Sequence, residues 1–315
     1  FADVQEIFEE LKNFVPTGAF TLGQPVAEFE RRFAEVIGVR HAIGVGSGTD
    51  AIKLGLRSVG IGHGDEVITA ANTFIATVGA IAETGAKTVL VDVDDSFCMN
   101  ADLIEAAITE KTKAIVPVTL TGNLPDMPKI MKIADKHGLA VVEDACQGIL
   151  ANMEGRNAGT WGIAGAFSLH PLKNLNVWGD AGVVVTNDDA IDKQLRLLRN
   201  HGLKNRDEVE ILGYNSRLDS IQAIVGNWLV GDSEKITRGR IENAAYYDKH
   251  LGGIDALTIP MRRPDVRHVY HLYMVFAQDR DGLYEHCLAN GVEAKVHYPV
   301  PLYQQEGLRH LGYLA

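Results

Sequence analysis

The sequence predicts an α/β fold, a mostly parallel sheet flanked by helices, with a smaller α+β unit behind it. Three observations predict it. Seven short apolar runs alternate with helical patterns as far as Thr186, glycine-bearing turns follow several of those runs, and the texture changes past Leu229. The strands are read at Ala42–Val45, Glu66–Thr69, Thr88–Val91, Ala114–Val118, Ala140–Glu143, Ala164–Ser168 and Val183–Thr186. Amphipathic segments such as Asp126–His137 lie between several of them and supply the covering helices. Past Leu229 the pattern predicts a long helix over Glu234–His250, a strand around His271–Phe276, a helix near Leu283–Asn290 and a strand near Val292–His297. The expected division is a large domain over residues 1–229 and a small one over 230–315. No repeat or low-complexity segment interrupts either.

Composition narrows the function. A chain of 315 residues that is 46% hydrophobic can bury a large core. Thirty Lys and Arg against forty-one Asp and Glu leave a formal net charge of -11, which disfavours nucleic acid or an anionic membrane as a general partner. Cys98, Cys146 and Cys287 lie far apart and form no C-x-x-C pair, so neither a disulfide framework nor a cysteine zinc site is indicated and a reducing cytoplasm is the simplest setting. His170, His201 and His297 lack metal-ligand spacing. No apolar run approaches a membrane span, and Phe1-Ala2-Asp3-Val4 lacks the basic and apolar regions of a signal peptide. The absence of a leading methionine suggests that a few residues precede Phe1.

The residues that carry chemistry follow strands, which is where open α/β sheets place their sites. Lys173 lies in a His-Pro-Leu-Lys-Asn turn after the strand ending at Ser168, whereas most lysines are surface charges on helices. Asp144 ends the buried run Val141-Val142-Glu143, where a carboxylate needs a partner: a pyridinium, an arginine or a helix end. An amine that can form a Schiff base and a buried carboxylate that can keep a ring nitrogen protonated together suggest pyridoxal 5'-phosphate chemistry. Gly44-Val45-Gly46-Ser47-Gly48-Thr49-Asp50 opens a helical pattern and reads equally as a phosphate cradle or a tight turn. Thr49 stands where a dinucleotide fingerprint needs its third glycine, which argues against a nicotinamide site. Phe74 is placed to lie against a planar ring or to be plain core, and Gln147 and Ser168 add polar groups nearby in sequence.

Seven segments in order resemble the DegT/StrS-type sugar aminotransferases of the fold-type I pyridoxal-phosphate enzymes. They are Gly18-Ala19-Phe20 with Gly23, Gly46 to Ala51, Gly64 to Ile68 leading to Thr73-Phe74, Glu143-Asp144-Ala145, Ser168 to Asn174, Tyr214 to Asp219, and Val296 to Pro299. The resemblance implies that Lys173 is the catalytic lysine, Asp144 pairs with the pyridine nitrogen and Phe74 stacks on the ring. It implies further that Gly48, Thr49 and Ser168 hold the phosphate, that Gln147 contacts the ring oxygen, and that Asn215 reaches the phosphate of the neighbouring subunit of a homodimer with shared active sites. His297 and Tyr298 match the substrate-side motif. The implied reaction takes an amino group from glutamate, through pyridoxamine 5'-phosphate, to a keto-sugar that is nucleotide-linked or a sugar phosphate. A related dehydratase subgroup carries histidine in place of the lysine, so Lys173 favours transamination. Lys173-Asn174-Leu175 with Gly179-Asp180-x-Gly182 looks more like members acting at C3 than at C4, although Ala181 replaces the usual second glycine and Leu169 a common aromatic residue. Members normally continue beyond a motif like Leu311-Gly312-Tyr313 with a further strand and helix, so the small domain is expected to be incomplete here.

Overall fold

The structure, a computed structural model, describes residues 4–312; the terminal residues Phe1–Asp3 and Tyr313–Ala315 lie outside it. In chain order the elements are α1 (Val4–Phe14), α2 (Gln24–Ile37), β1 (His41–Val45), α3 (Gly48–Ser58), β2 (Glu66–Ala70), α4 (Ile75–Glu83), β3 (Lys87–Val91), α5 (Ile104–Ala107), β4 (Thr112–Val116), α6 (Met127–His137) and β5 (Ala140–Asp144). The short β6 (Asn152–Met153) and β7 (Arg156–Asn157) precede β8 (Ala164–Ser168), β9 (Gly182–Thr186), α7 (Asp189–Leu198), α8 (Ser220–Val230) and α9 (Ser233–Leu251). Last come β10 (Leu257–Thr258), β11 (Val266–Arg267), β12 (Phe276–Ala277) and α10 (Arg280–Ala289), with short 3-10 turns between elements.

The seven expected strands form one sheet in the order β1-β9-β8-β5-β4-β2-β3. β9 is antiparallel to both of its neighbours and the other pairings are parallel, so six strands run one way. Alternation along each strand divides the core into two layers. Val183 and Val185 of β9 and Val141 of β5 face Phe29 and Phe33 of α2 and Ile224 of α8. Val184 and Val142 face the opposite way, toward Leu54 of α3, Ile81 of α4 and Leu195 of α7. Helices on both faces explain why these strands are apolar throughout.

Local chemistry starts and stops the helices. Ser47, Asp126, Asp188, Asp219 and Asp279 cap α3, α6, α7, α8 and α10 with side-chain oxygens. Gly38 and Gly138 end α2 and α6 in the left-handed conformation.

The C-terminal third departs from the sequence pattern. The helices over 234–250 and 283–290 form as α9 and α10, but the strand expected at His271–Phe276 shrinks to Phe276–Ala277, paired with β10. Residues 292–297 form no strand. Their alternating apolar and polar residues met no partner strand among the described residues, and Val292 is left 55% exposed; a strand gains its stability from a neighbour. Residues 268–273 instead wrap the sheet domain, with Val269 N–H donating to Gly122 O at 2.9 Å. Among the described residues no helix is long and apolar enough to cross a membrane.

Candidate active site

Because β1, β2, β4, β5 and β8 run in one direction, the segments that follow them gather at one end of the sheet. The Gly46–Thr49 turn, Thr73-Phe74, the Thr119–Gly122 turn, Asp144 to Gln147, and Ser168 to Asn174 all leave the sheet there. Residues a hundred positions apart in sequence become neighbours.

Asp144 is 5% exposed and its carboxylate is held by two donors: Thr77 Oγ1 to Oδ2 at 2.7 Å and Cys146 N–H to Oδ1 at 3.2 Å. Thr73 and Thr77 hydroxyls are 2.8 Å apart, both fully buried. The Asp144 carbonyl accepts from Thr119 N–H at 3.0 Å. Neighbouring Glu143 points to the opposite face, as strand alternation requires, and takes backbone N–H groups of Gly159, Trp161 and Gly162 at 2.6–2.8 Å. Burial pushes its carboxyl up to about 7 while those three N–H groups act the other way. Of two adjacent acids, one therefore pins a loop and the other faces the site.

At the start of α3, Ser47 caps by accepting from Asp50 N–H at 3.1 Å, and helix geometry supplies no acceptor for the N–H groups of Gly48 and Thr49. A Cβ on Gly48 would meet Ser168 Cβ at 2.6 Å and Cys146 Sγ at 3.0 Å. Gly48, Ser168 and Cys146 thus line one narrow cradle, with a helix N-terminus at its base, which fits a phosphate. Burial raises the Cys146 thiol well above its usual range, so it lines the cradle as a neutral group. Ser216 secures the turn from below: it accepts from Gly46 N–H at 3.1 Å and donates to Asp50 at 2.8 Å, while Lys53 neutralises Asp50 at 2.7 Å.

Gln147 is oriented by its carbonyl, which accepts from Thr121 N–H at 2.6 Å and leaves the amide NH2 as the donor facing the site. Tyr298 joins this group. Burial pushes its phenol up to about 12, with Gln147 pulling the other way and the Asp144 charge adding to the rise. Its ring lies 6.3 Å from that of Phe74, which caps α4 and is 50% exposed. The cavity beside them, about 200 Å³, is lined by Asn72, Thr73, Asp92, Tyr298 and Leu302. A larger groove of about 480 Å³ at Arg40, Gly162 and Asn187 lies at the opposite end of the sheet, away from these groups.

Lys173 follows β8, its backbone N–H donating to His170 O at 2.8 Å. Its charge is felt at both Cys146 and His271. Asn174, next to it, donates to Val269 O at 3.2 Å and lies 3.4 Å from His271 Nδ1. Gly122, at φ 93°, permits this approach, since a Cβ there would meet Val269, Tyr270 N and His271 N within 3.0 Å. His271 is held down to about 3 by burial and by the charges of Lys173, Arg240 and His297. His297 is lowered by burial and by Lys295.

Asn215 stands apart from this group: it is exposed, opposite Asn200 in an isolated bridge, while its neighbours Ser216, Leu218 and Asp219 serve this chain's own packing and capping. Sequence reasoning missed Thr73, Thr77, Lys53, Ser216 and His271. Thr73 and Thr77 carry one legible signal, an i, i+4 pair of hydroxyls at the start of a helix.

Residues 2–314 match the DegT/DnrJ/EryC1/StrS aminotransferase family. Two relatives are each 42% identical: a pleiotropic regulatory protein of Geobacillus stearothermophilus, over 98% of this chain and 84% of that protein, and a UDP-N-acetyl-3-dehydro-alpha-D-glucosamine 3-aminotransferase of Acidithiobacillus ferrooxidans, over 97% and 83%. The crystal structure of S. venezuelae DesV in complex with a ketimine intermediate superposes with a TM-score of 0.92 at 38% identity, covering 98% of this chain and 85% of that one. By sequence and by fold alike, this chain belongs to the DegT/DnrJ/EryC1/StrS aminotransferase family.

Proposed function

We propose that this pyridoxal-phosphate-dependent sugar aminotransferase takes an amino group from glutamate and delivers it to C3 of an anionic keto-sugar, preferentially a nucleotide-linked one. The observation that carries the reading is the convergence of Lys173, Asp144 and the Gly48–Ser168 cradle at one end of the sheet. Similarity to a 3-aminotransferase supports C3. Pyridoxal phosphate, when bound, supplies a ring that withdraws electrons from the bond being broken.

The chain's own residues divide the remaining work. The Lys173 amine would hold the cofactor's aldehyde group and, as a free amine, would serve as the base and acid that moves the proton between the reacting carbons. Asp144 holds the proton on the ring nitrogen. Gly48 and Thr49 N–H groups with Ser168 bind the phosphate, the Gln147 NH2 meets the ring oxygen, and Phe74 covers the ring face. His297 and Tyr298 line the substrate side, and Tyr298's position against Phe74 supports that assignment. Asn215, exposed and outside this chain's own cluster, serves the partner's phosphate in a homodimer of cytoplasmic subunits, each divided between residues 229 and 230 into a large and a small domain.

The test is the visible spectrum of the protein with pyridoxal phosphate, before and after excess glutamate. Glutamate should bleach the yellow band and raise the pyridoxamine band, and Lys173→Ala should abolish turnover. Retained turnover in Lys173→Ala, or a spectrum indifferent to glutamate, overturns the assignment of base or donor. The similarity to a regulatory protein favours one rival, a binding homologue without catalysis; an unchanged spectrum together with no turnover of any keto-sugar would support it.

A further inference from the structure

We propose that Thr77 is a positioning residue for the ring-nitrogen contact, holding the Asp144 carboxylate in the plane that meets the cofactor. The inference rests on the assignment of Asp144 to the ring nitrogen. Its own basis is the geometry behind the carboxylate.

Thr77 lies in the first turn of α4, sixty-seven residues from Asp144 in sequence, and is 0% exposed. Its hydroxyl donates to Asp144 Oδ2 at 2.7 Å. A threonine hydroxyl has one proton, so Thr77, having given it to Asp144, accepts from Thr73 across the 2.8 Å contact. The two threonines form a relay that ends on the carboxylate. Cys146 N–H occupies the other oxygen at 3.2 Å, and the Asp144 main chain is fixed by Thr119 and Pro117. Both oxygens are therefore tied from the protein side, which stops the carboxylate from rotating about its last bond.

The placement also links two contacts on the ring. Phe74, at the N-cap of α4, and Thr77, one turn later, belong to the same segment. The element that presents an aromatic face thus also sets the acid at the ring's edge. A buried carboxylate deprived of a donor turns toward whichever polar group remains, here the Cys146 N–H, and leaves its former line.

Equilibrium binding to the apo protein separates positioning from packing, with pyridoxal phosphate and its 1-deaza analogue, in which carbon replaces the ring nitrogen, as probes. Thr77→Val keeps the shape and removes the proton. It should weaken pyridoxal phosphate about tenfold, the loss of one buried hydrogen bond of about 1.4 kcal/mol, and leave the deaza analogue within twofold of the parent protein. Thr77→Ser should bind both as the parent does. Equal weakening of both probes would overturn the inference in favour of a packing role, as would unchanged binding of pyridoxal phosphate. Thr73→Val, which removes the next donor without touching Asp144, should show a smaller loss confined to pyridoxal phosphate, and it decides the question should Thr77→Val fail to fold. Asp144→Asn is the reference: if it weakens both probes equally, the ring-nitrogen assignment itself falls, whereas weakening confined to pyridoxal phosphate in Asp144→Asn but absent in Thr77→Val refutes only the role of Thr77.

Discussion

Glu30→Ala should be strongly destabilising, because Glu30 and Arg199 complete an open sheet edge. β1 is an edge strand, so the Gly44 groups turned away from β9 have no strand to bond. Glu30 Oε1 accepts the Gly44 N–H at 2.8 Å and Arg199 Nη1 donates to the Gly44 carbonyl at 2.9 Å. Glu30 also pairs with Arg199 directly and with Arg196 through Oε2 at 3.0 Å. Glu30 and Arg199 are 6% and 7% exposed, so alanine at position 30 leaves a guanidinium buried without its counter-charge and a backbone N–H without an acceptor. Breaking a buried pair from one side costs about 3–5 kcal/mol. The half-exposed Arg196 contributes little of this. At roughly 2–4 °C per kcal/mol for a domain of this size, the midpoint of thermal unfolding should fall by about 10 °C. Far-UV circular dichroism of the apo protein measures it. Glu30→Leu combined with Arg199→Met removes both charges and should recover at least half of the loss, since the desolvation penalty disappears with them. A single-variant loss below about 1 kcal/mol, or a double variant as unstable as the sum of the two singles, would refute the edge argument.

Gly48→Ala should lower stability by about 1–3 kcal/mol, because the added methyl meets Ser168 Cβ at 2.6 Å, and should weaken pyridoxal phosphate about tenfold or more, because relieving that clash moves the walls of the cradle. Fluorescence titration of the apo protein checks it, and parent-like affinity would remove Gly48 from the cradle. The 268–273 loop should loosen in acid. Burial holds His268 down to about 4 and, with Lys173, Arg240 and His297, holds His271 down to about 3. Both folded values lie below the ordinary 6.5, so the stabilisation is full above that pH and is lost as pH falls toward 3–4. At pH 5 each ring should cost about 2 kcal/mol. Hydrogen exchange of the peptide spanning this loop, corrected for intrinsic rates, should show protection dropping between pH 7 and pH 5, and His271→Asn should flatten part of the drop. Protection that holds constant would mean that the rings are not held neutral by the fold.

The sequence by itself determined the sheet and singled out segments that gather at one end of it. Seven runs of β-branched and small apolar residues can be stable only between two covering layers, and all seven became strands of one sheet. Lys173, Asp144 and the Gly46–Thr49 turn were legible because each breaks its local pattern just after a strand. Helices over 234–250 and 283–290 were legible because helix-favouring composition is local and needs no partner to be read. The strands expected at 271–276 and 292–297 failed because a strand is half of a pair, and local composition does not say whether the other half is present. Thr77 shows the same limit inside the site. A threonine in a helix carries no mark of the carboxylate it will serve, and only the parallel run of β2 and β5 brings α4's first turn against Asp144. His268 and Gln147 likewise took their settings from Thr121, whose backbone carbonyl and N–H, without a strand to bond, orient the imidazole and the amide that the fold delivers to them. Local chemistry chose the residues; strand direction, a property of the whole sheet, decided which of them meet.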